Sequence, residues 1–131
     1  MTKMGNVFVS GHRHITYEEF LENYAVKLDE AMVSGLRVFV CDYFGVDRWA
    51  QEYLRDHGYD KVSVAYMGAT PRNYVGGFHL IGGFKSDEER DSFCTDATDY
   101  DIAWVKYPKS GTARNVERRA ERRKDGTDDL A

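Results

Sequence analysis

Four short apolar runs punctuate the chain, and longer stretches of helical periodicity separate them. Asn6–Ser10, Arg37–Cys41, Lys61–Tyr66 and Asp101–Val105 are rich in β-branched and aromatic residues. Near-continuous runs of this kind are typical of strands covered on both faces of a sheet. After the first run, Phe20, Leu21, Tyr24, Leu28, Ala31 and Met32 recur at the spacing of one helix face. Thr16 and Glu19 offer a capping box ahead of that helix, Ile15 can staple onto Phe20, and Gly35 stops it. A second helix is expected from an N-cap at Asp47 through His57, burying Trp49, Ala50, Tyr53 and Leu54. Ser86 and Glu89 open a third as far as about Phe93, with Thr95 to Asp101 as a polar connector. The last helix spans Thr112 to Lys124.

Strands alternating with helices predict an α/β fold: one Rossmann-like, three-layer domain over residues 1–124, with about four parallel strands and helices on both faces. The simplest strand order is 3-2-1-4. It reverses direction between strands one and four, and ligands bind outside the carboxyl ends of strands at such a switch point. Two segments stand outside the pattern. Met67 to Lys85 carries Gly68, Pro71, Gly76, Gly77, Gly82 and Gly83 around an apolar patch at Phe78–Ile81, and reads as a lid, binding loop or interface. Residues 125–131 read as a disordered tail.

Composition narrows the classes. The chain has 131 residues with a formal net charge of -4, which disfavours nucleic-acid binding over a broad basic surface. The basic run from Arg114 to Lys124 reads as a solvated helix face with neighbouring acids. No apolar run approaches the ~18 residues of a membrane span, and no signal-peptide pattern precedes the first strand. Cys41 and Cys94 sit far apart without CxxC spacing, and Cys41, at the end of a strand, reads as a core thiol, which points to a reducing, cytoplasmic compartment. His12 and His14 lack a further ligand cluster, so neither a metal nor a cofactor is expected.

The candidate chemistry lies on three loops that this topology brings together. Ser110, Gly111 and Thr112 start the last helix, where free N–H groups and hydroxyls can hold a phosphate; Lys109 precedes them, and Arg114 and Asn115 follow. Ser10, Gly11, His12 and Arg13 turn out of the first strand, with the guanidinium suited to an anion and the imidazole to proton transfer or base stacking. The third loop runs Asp42 to Asp47. Either aspartate could serve a sugar's anomeric centre during N-glycosidic cleavage or accept ribose hydroxyls, while Tyr43 stacks on a base and Gly45 permits close approach. Asp47 has the competing role of a helix cap, and Arg72 is a candidate to close over the ligand or to build a dimer contact.

The Ser-Gly turn after strand one, the acidic Gly-containing loop after strand two and the Ser-Gly-Thr turn before the last helix resemble the SLOG superfamily. That Rossmann-like group includes the lysine-decarboxylase-like Lonely Guy nucleotide phosphoribohydrolases, DNA-processing DprA and nucleotide-sensing domains. Nucleoside 2-deoxyribosyltransferases are more distant relatives of similar architecture. The resemblance runs from about Val7 to Lys124 and implies binding of a nucleotide or phosphorylated ribose compound. Lonely Guy enzymes carry a glutamate early on the last helix; Arg114 stands there in this chain, and Glu117 comes about a turn later. Two readings therefore stay open: an N-glycosidase or deoxyribosyltransferase-like hydrolase, and a non-catalytic nucleotide sensor or accessory domain. A homodimer is also expected, through a sheet edge or through helix faces bearing Trp49 and Tyr53 or Phe20 and Tyr24.

Overall fold

The structure is a computed structural model describing residues 5–130, with side chains through residue 123. Five strands form one wholly parallel sheet: β1 (Asn6–Ser10), β2 (Arg37–Cys41), β3 (Val62–Met67), β4 (His79–Phe84) and β5 (Tyr100–Ala103). Their order is β4-β3-β2-β1-β5. The expected 3-2-1-4 arrangement is present within it, and the switch point lies between β1 and β5.

The addition is β4. It pairs with β3 from Ser63↔His79 to Met67↔Phe84 through a register shift, and it lies inside the stretch read as a loop. Two glycines depress its strand propensity, so it carries little local signal. At Gly82 a Cβ would lie 2.5 Å from the outer end of the Tyr66 ring, so a larger residue there would have to push that side chain aside.

Strand periodicity builds two unequal cores. Val7, Val9, Val38, Val40, Val62 and Val64 point to one face, where they meet Phe20, Tyr24 and Leu28 from the first helical segment and Ala50 and Leu54 from α3 (Val46–Asp56). That first segment consists of α1 (Tyr17–Phe20), a π-helical turn over Leu21–Ala25, and α2 (Val26–Val33). Its capping box is complete: the Thr16 hydroxyl accepts from Glu19 N–H, and the Glu19 carboxylate accepts from Thr16 N–H. Phe20 and Tyr24 are buried, which removes them as surface contacts for a second copy.

On the opposite face Phe8, Phe39, Cys41 and Ala65 of the sheet lie beneath α4 (Asp87–Ala97), which contributes Cys94, and α5 (Gly111–Leu130), with Ile81, Phe84 and Ala97 partly buried at the margin. Buried arginines supplement this thin apolar layer. Arg119 donates to the Thr95 and Thr98 carbonyls at the end of α4 and pairs with Asp101 of β5. Arg114 and Arg122 pair with Glu88 and Asp96 of α4. Three arginines of the basic run of α5 are thus paired with acids of α4 and β5. Helix α4 continues four residues past the expected Phe93, and α5 runs on through Leu130 where the sequence places a tail; Ala131 lies outside the described residues. No helix among the described residues is long and apolar enough to cross a membrane.

One buried hydroxyl ties the switch point together. Tyr24 donates to the Ser10 carbonyl at 2.8 Å and accepts from Trp104 N–H at 3.0 Å. Tyr24→Phe is expected to cost about 1–3 kcal/mol, because both groups lose their partner out of reach of water. Urea denaturation of the variant beside the wild type measures this.

Candidate functional site

A cavity of about 310 Å³ opens at the carboxyl end of the sheet, over the β1–β5 switch point. It is lined by all three expected loops and by one element that the sequence reading left out, the N-terminal half of α4.

The β1 and β2 loops are packed against each other with no room for added side-chain atoms. A Cβ on Gly11 would lie 2.5 Å from Val46, and one on Gly45 would lie 2.5 Å from the His12 carbonyl. Gly45 also has φ 70, a left-handed conformation that favours glycine, and it is the N-cap of α3. This corrects the expectation that Asp47 caps that helix. Asp47 is instead the helix's second residue, and its carboxyl reaches back to accept from Tyr43 N–H at 3.0 Å. It is 4% exposed and lines the cavity. Burial, reinforced by the charges of Asp91 and Asp42, pushes its pKa up to about 7 against the opposing pull of Arg90 and the Tyr43 N–H.

Asp42 has a different fate. It is wholly buried and does not line the cavity. Its carboxylate accepts from the backbone and side chain of Arg72 and from Arg90 Nη1 at 2.9 Å. Burial alone would raise its pKa, but the hydrogen bonds and charges of the two arginines outweigh it and hold the group below its ordinary value. Arg72 also reaches Asp87 at 2.6 Å. It clamps the segment before β4 to α4 from outside the cavity lining. Gln51 anchors the same segment, donating to the Asn73 carbonyl and accepting from Val75 N–H.

His12 joins the β1 and β5 ends. Its Nε2 accepts from Lys106 N–H at 2.9 Å and from Tyr107 N–H at 3.3 Å, which assigns the ring proton to Nδ1 in the neutral form. Burial, then the nearby charge of Lys106, lowers its pKa and favours that neutral state. Arg13 is exposed at the rim, its guanidinium 4.5 Å over the Phe44 ring.

At the start of α5, the Ser110 hydroxyl accepts from Ala113 N–H at 3.1 Å and donates to the Tyr107 carbonyl. The remaining first-turn N–H groups have no intrahelical acceptor, so this end of the cavity carries the positive end of a helix. Opposite, on β1, the Ser10 hydroxyl is buried without a hydrogen-bond partner. Thr112 and Asn115 are buried beside the same cavity. Lys109, Gly45, Arg72, Asp42 and Arg114 do not line it.

Arg90, Asp91 and the half-exposed Asp87, all on α4, are the charged lining residues missed by sequence reasoning, and the first two are the more buried. Arg90 is 4% exposed and donates to Asp42, Asp87 and Asp91. Asp91 accepts from Arg90 Nε and Nη2 and from the Cys41 thiol on Oδ1, and from Asn115 Nδ2 at 3.3 Å on Oδ2. Both line the cavity. The available signal was positional: Arg90 lies four residues before buried Cys94, on the inward face of α4.

Among the described residues, no group of His, Cys, Asp or Glu side chains is arranged to hold a metal ion. Fold and cavity together define a Rossmann-like α/β domain with a cavity at its switch point. Comparison with known proteins finds no matching family model, no matching curated protein and no matching solved structure.

Proposed function

We propose that this chain is a nucleotide-binding domain of SLOG type that takes a nucleotide or phosphorylated ribose compound into the switch-point cavity and cleaves or exchanges its N-glycosidic bond. The observation that carries the reading is the pairing of the open α5 N-terminus with the unpartnered Ser10 hydroxyl across one cavity. Buried polar groups are normally satisfied, and a phosphate oxygen supplies the acceptor that Ser10 lacks. Arg13 at the rim adds a cation, and Tyr43 and Phe44 offer aromatic surface to a base. Asp47, kept neutral to near pH 7, is suited to give a proton to the departing base. Asp42 serves from behind as the anchor of Arg72 and Arg90.

A thermal-shift screen of nucleoside mono-, di- and triphosphates, cyclic nucleotides and ADP-ribose, with chromatography of each mixture, tests this. A ligand at 100 times its Kd is expected to stabilise the protein by about 2.7 kcal/mol, roughly 10 °C in Tm. Release of free base supports the glycosidase. A stabilising ligand recovered intact supports the non-catalytic sensor, which the Arg114 position on α5 also favours. No shift with any compound overturns the nucleotide reading.

A further inference from the structure

Three carboxyl groups line the cavity: Asp87 is half exposed and engaged by both Arg72 and Arg90, and the other two, Asp47 and Asp91, lie in contrasting surroundings. Asp47 sits on α3 and, among the described residues, has a single hydrogen bond, from Tyr43 N–H, and no salt bridge. Asp91 sits on α4 and is salt-bridged to Arg90 at 2.8 Å. The bonds to Asp91 are unevenly shared. Arg90 and Cys41 crowd Oδ1, whereas Oδ2 receives only the long contact from Asn115. One oxygen is therefore pinned and the other keeps lone pairs available beside the cavity. Arg90 is itself held by Asp42 and Asp87, so the carboxylate is fixed on a rigid support. The unpartnered Ser10 hydroxyl marks the same cavity as a ligand site independently of its acids.

We propose that Asp91 is the nucleophile of the N-glycosidic reaction and Asp47 its acid and base, an inference that rests on the nucleotide reading above. In the first step Asp91 Oδ2 bonds to the anomeric carbon as the C1′–N bond breaks. The electron pair of that bond leaves with the base, which takes the proton of Asp47. In the second step water attacks the anomeric carbon and gives a proton back to the Asp47 carboxylate. The ester bond breaks, and Asp91 recovers its electron pair. Water is consumed, and the free base and a sugar hydroxyl are formed; an acceptor base in place of water gives exchange instead. A pair with one carboxyl group salt-bridged to an arginine and one buried without such a partner divides the two roles that this chemistry asks of its acids. The high pKa of Asp47 supports its half of the division.

The test uses the full chain with nucleoside 5′-monophosphates, their 2′-deoxy-2′-fluoro analogues, and an activated 4-nitrophenyl ribofuranoside 5-phosphate. With the fluoro analogue, the wild-type peptide containing Asp91 is expected to gain the mass of the phosphorylated fluorosugar. Asp91→Asn is expected to lower kcat by roughly 10³-fold or more while nucleotide Kd stays within about threefold. Asp47→Asn is expected to lose about 10²-fold or more in kcat/KM on natural nucleotides and little in kcat/KM on the 4-nitrophenyl substrate, whose leaving group needs no proton, while kcat on that substrate falls because the second step still lacks its base. Azide added to Asp91→Ala should restore turnover and yield a glycosyl azide. The trapping step uses unaltered protein, so a variant that folds poorly does not blunt the test. Turnover with the label on another residue, or with Asp91→Asn still active, overturns this assignment and leaves the nucleotide reading standing. Nucleotides bound but never cleaved also overturn it. Failure of every nucleotide to bind overturns both.

Discussion

Arg90→Met is expected to destabilise the protein by about 3–5 kcal/mol, the usual consequence of removing one partner from a buried ionic network. Arg90 has 5% side-chain exposure and bridges three aspartates, one of which, Asp42, has none. Methionine fills much of the volume and supplies no donor. Asp42 keeps Arg72, but Asp91 loses its salt bridge and retains only Cys41 and Asn115. Against a total stability of typically 5–15 kcal/mol the loss is large. Arg72→Met should cost distinctly less, because that side chain is 26% exposed and water can replace part of what it gave. Arg90→Lys is expected to behave much like Arg90→Met, since one ammonium cannot reproduce a planar fork reaching Asp42, Asp87 and Asp91 together. Guanidinium denaturation of the three variants orders them. Equal midpoints for Arg72→Met and Arg90→Met would show that burial depth does not set the cost.

The strands of the larger core were legible because valines recur in β1, β2 and β3 with little to confuse them, and the topology follows from the alternation with helices. The loops were legible for a related reason. Gly11, Gly45 and the Ser110 cap sit where the chain turns out of a strand, so local residue type reports local geometry. What escaped depends on contacts between distant elements. β4 is a strand because β3 offers it a parallel edge, not because His79–Phe84 favours extension. Arg90 is buried because Asp42, 48 residues away, awaits it. The one local cue is its helical spacing from Cys94, and the neighbouring residues are otherwise those of a surface arginine on a helix rich in acids. Asp42 and Asp47 share one loop, and from sequence both are candidate acids, with a helix-cap role weighing against Asp47. One residue of α3 geometry turns Asp47 toward the cavity, and two arginines draw Asp42 behind it.

That separation gives the second large effect, in the pH dependence of Asp47→Asn. The wild-type carboxyl has a pKa of about 7 in the folded protein against an ordinary 3.8. Folding therefore holds a proton that the unfolded chain releases above about pH 4. Between those two values the unfolded state binds fewer protons, so wild-type stability falls as pH rises, by up to about 1.4 kcal/mol per pH unit. The full difference is about 4 kcal/mol, present at pH 4 and lost by pH 8. Asparagine has no such proton, and its side-chain carbonyl can still accept from Tyr43 N–H. The variant should match the wild type near pH 4.5 and exceed it increasingly toward pH 8, as read from urea midpoints at half-unit intervals. Asp42 has the opposite sign: its lowered pKa gives stability that is lost only as pH falls below the ordinary carboxylate range, so it leaves this window undisturbed. A variant whose advantage stays flat from pH 5 to 8 would mean that Asp47 is already ionised throughout, and the cavity would then lack its proton donor at neutral pH. An advantage that grows with pH identifies a site that keeps an acid at some expense of stability, as expected where a buried carboxyl is retained for chemistry rather than for folding.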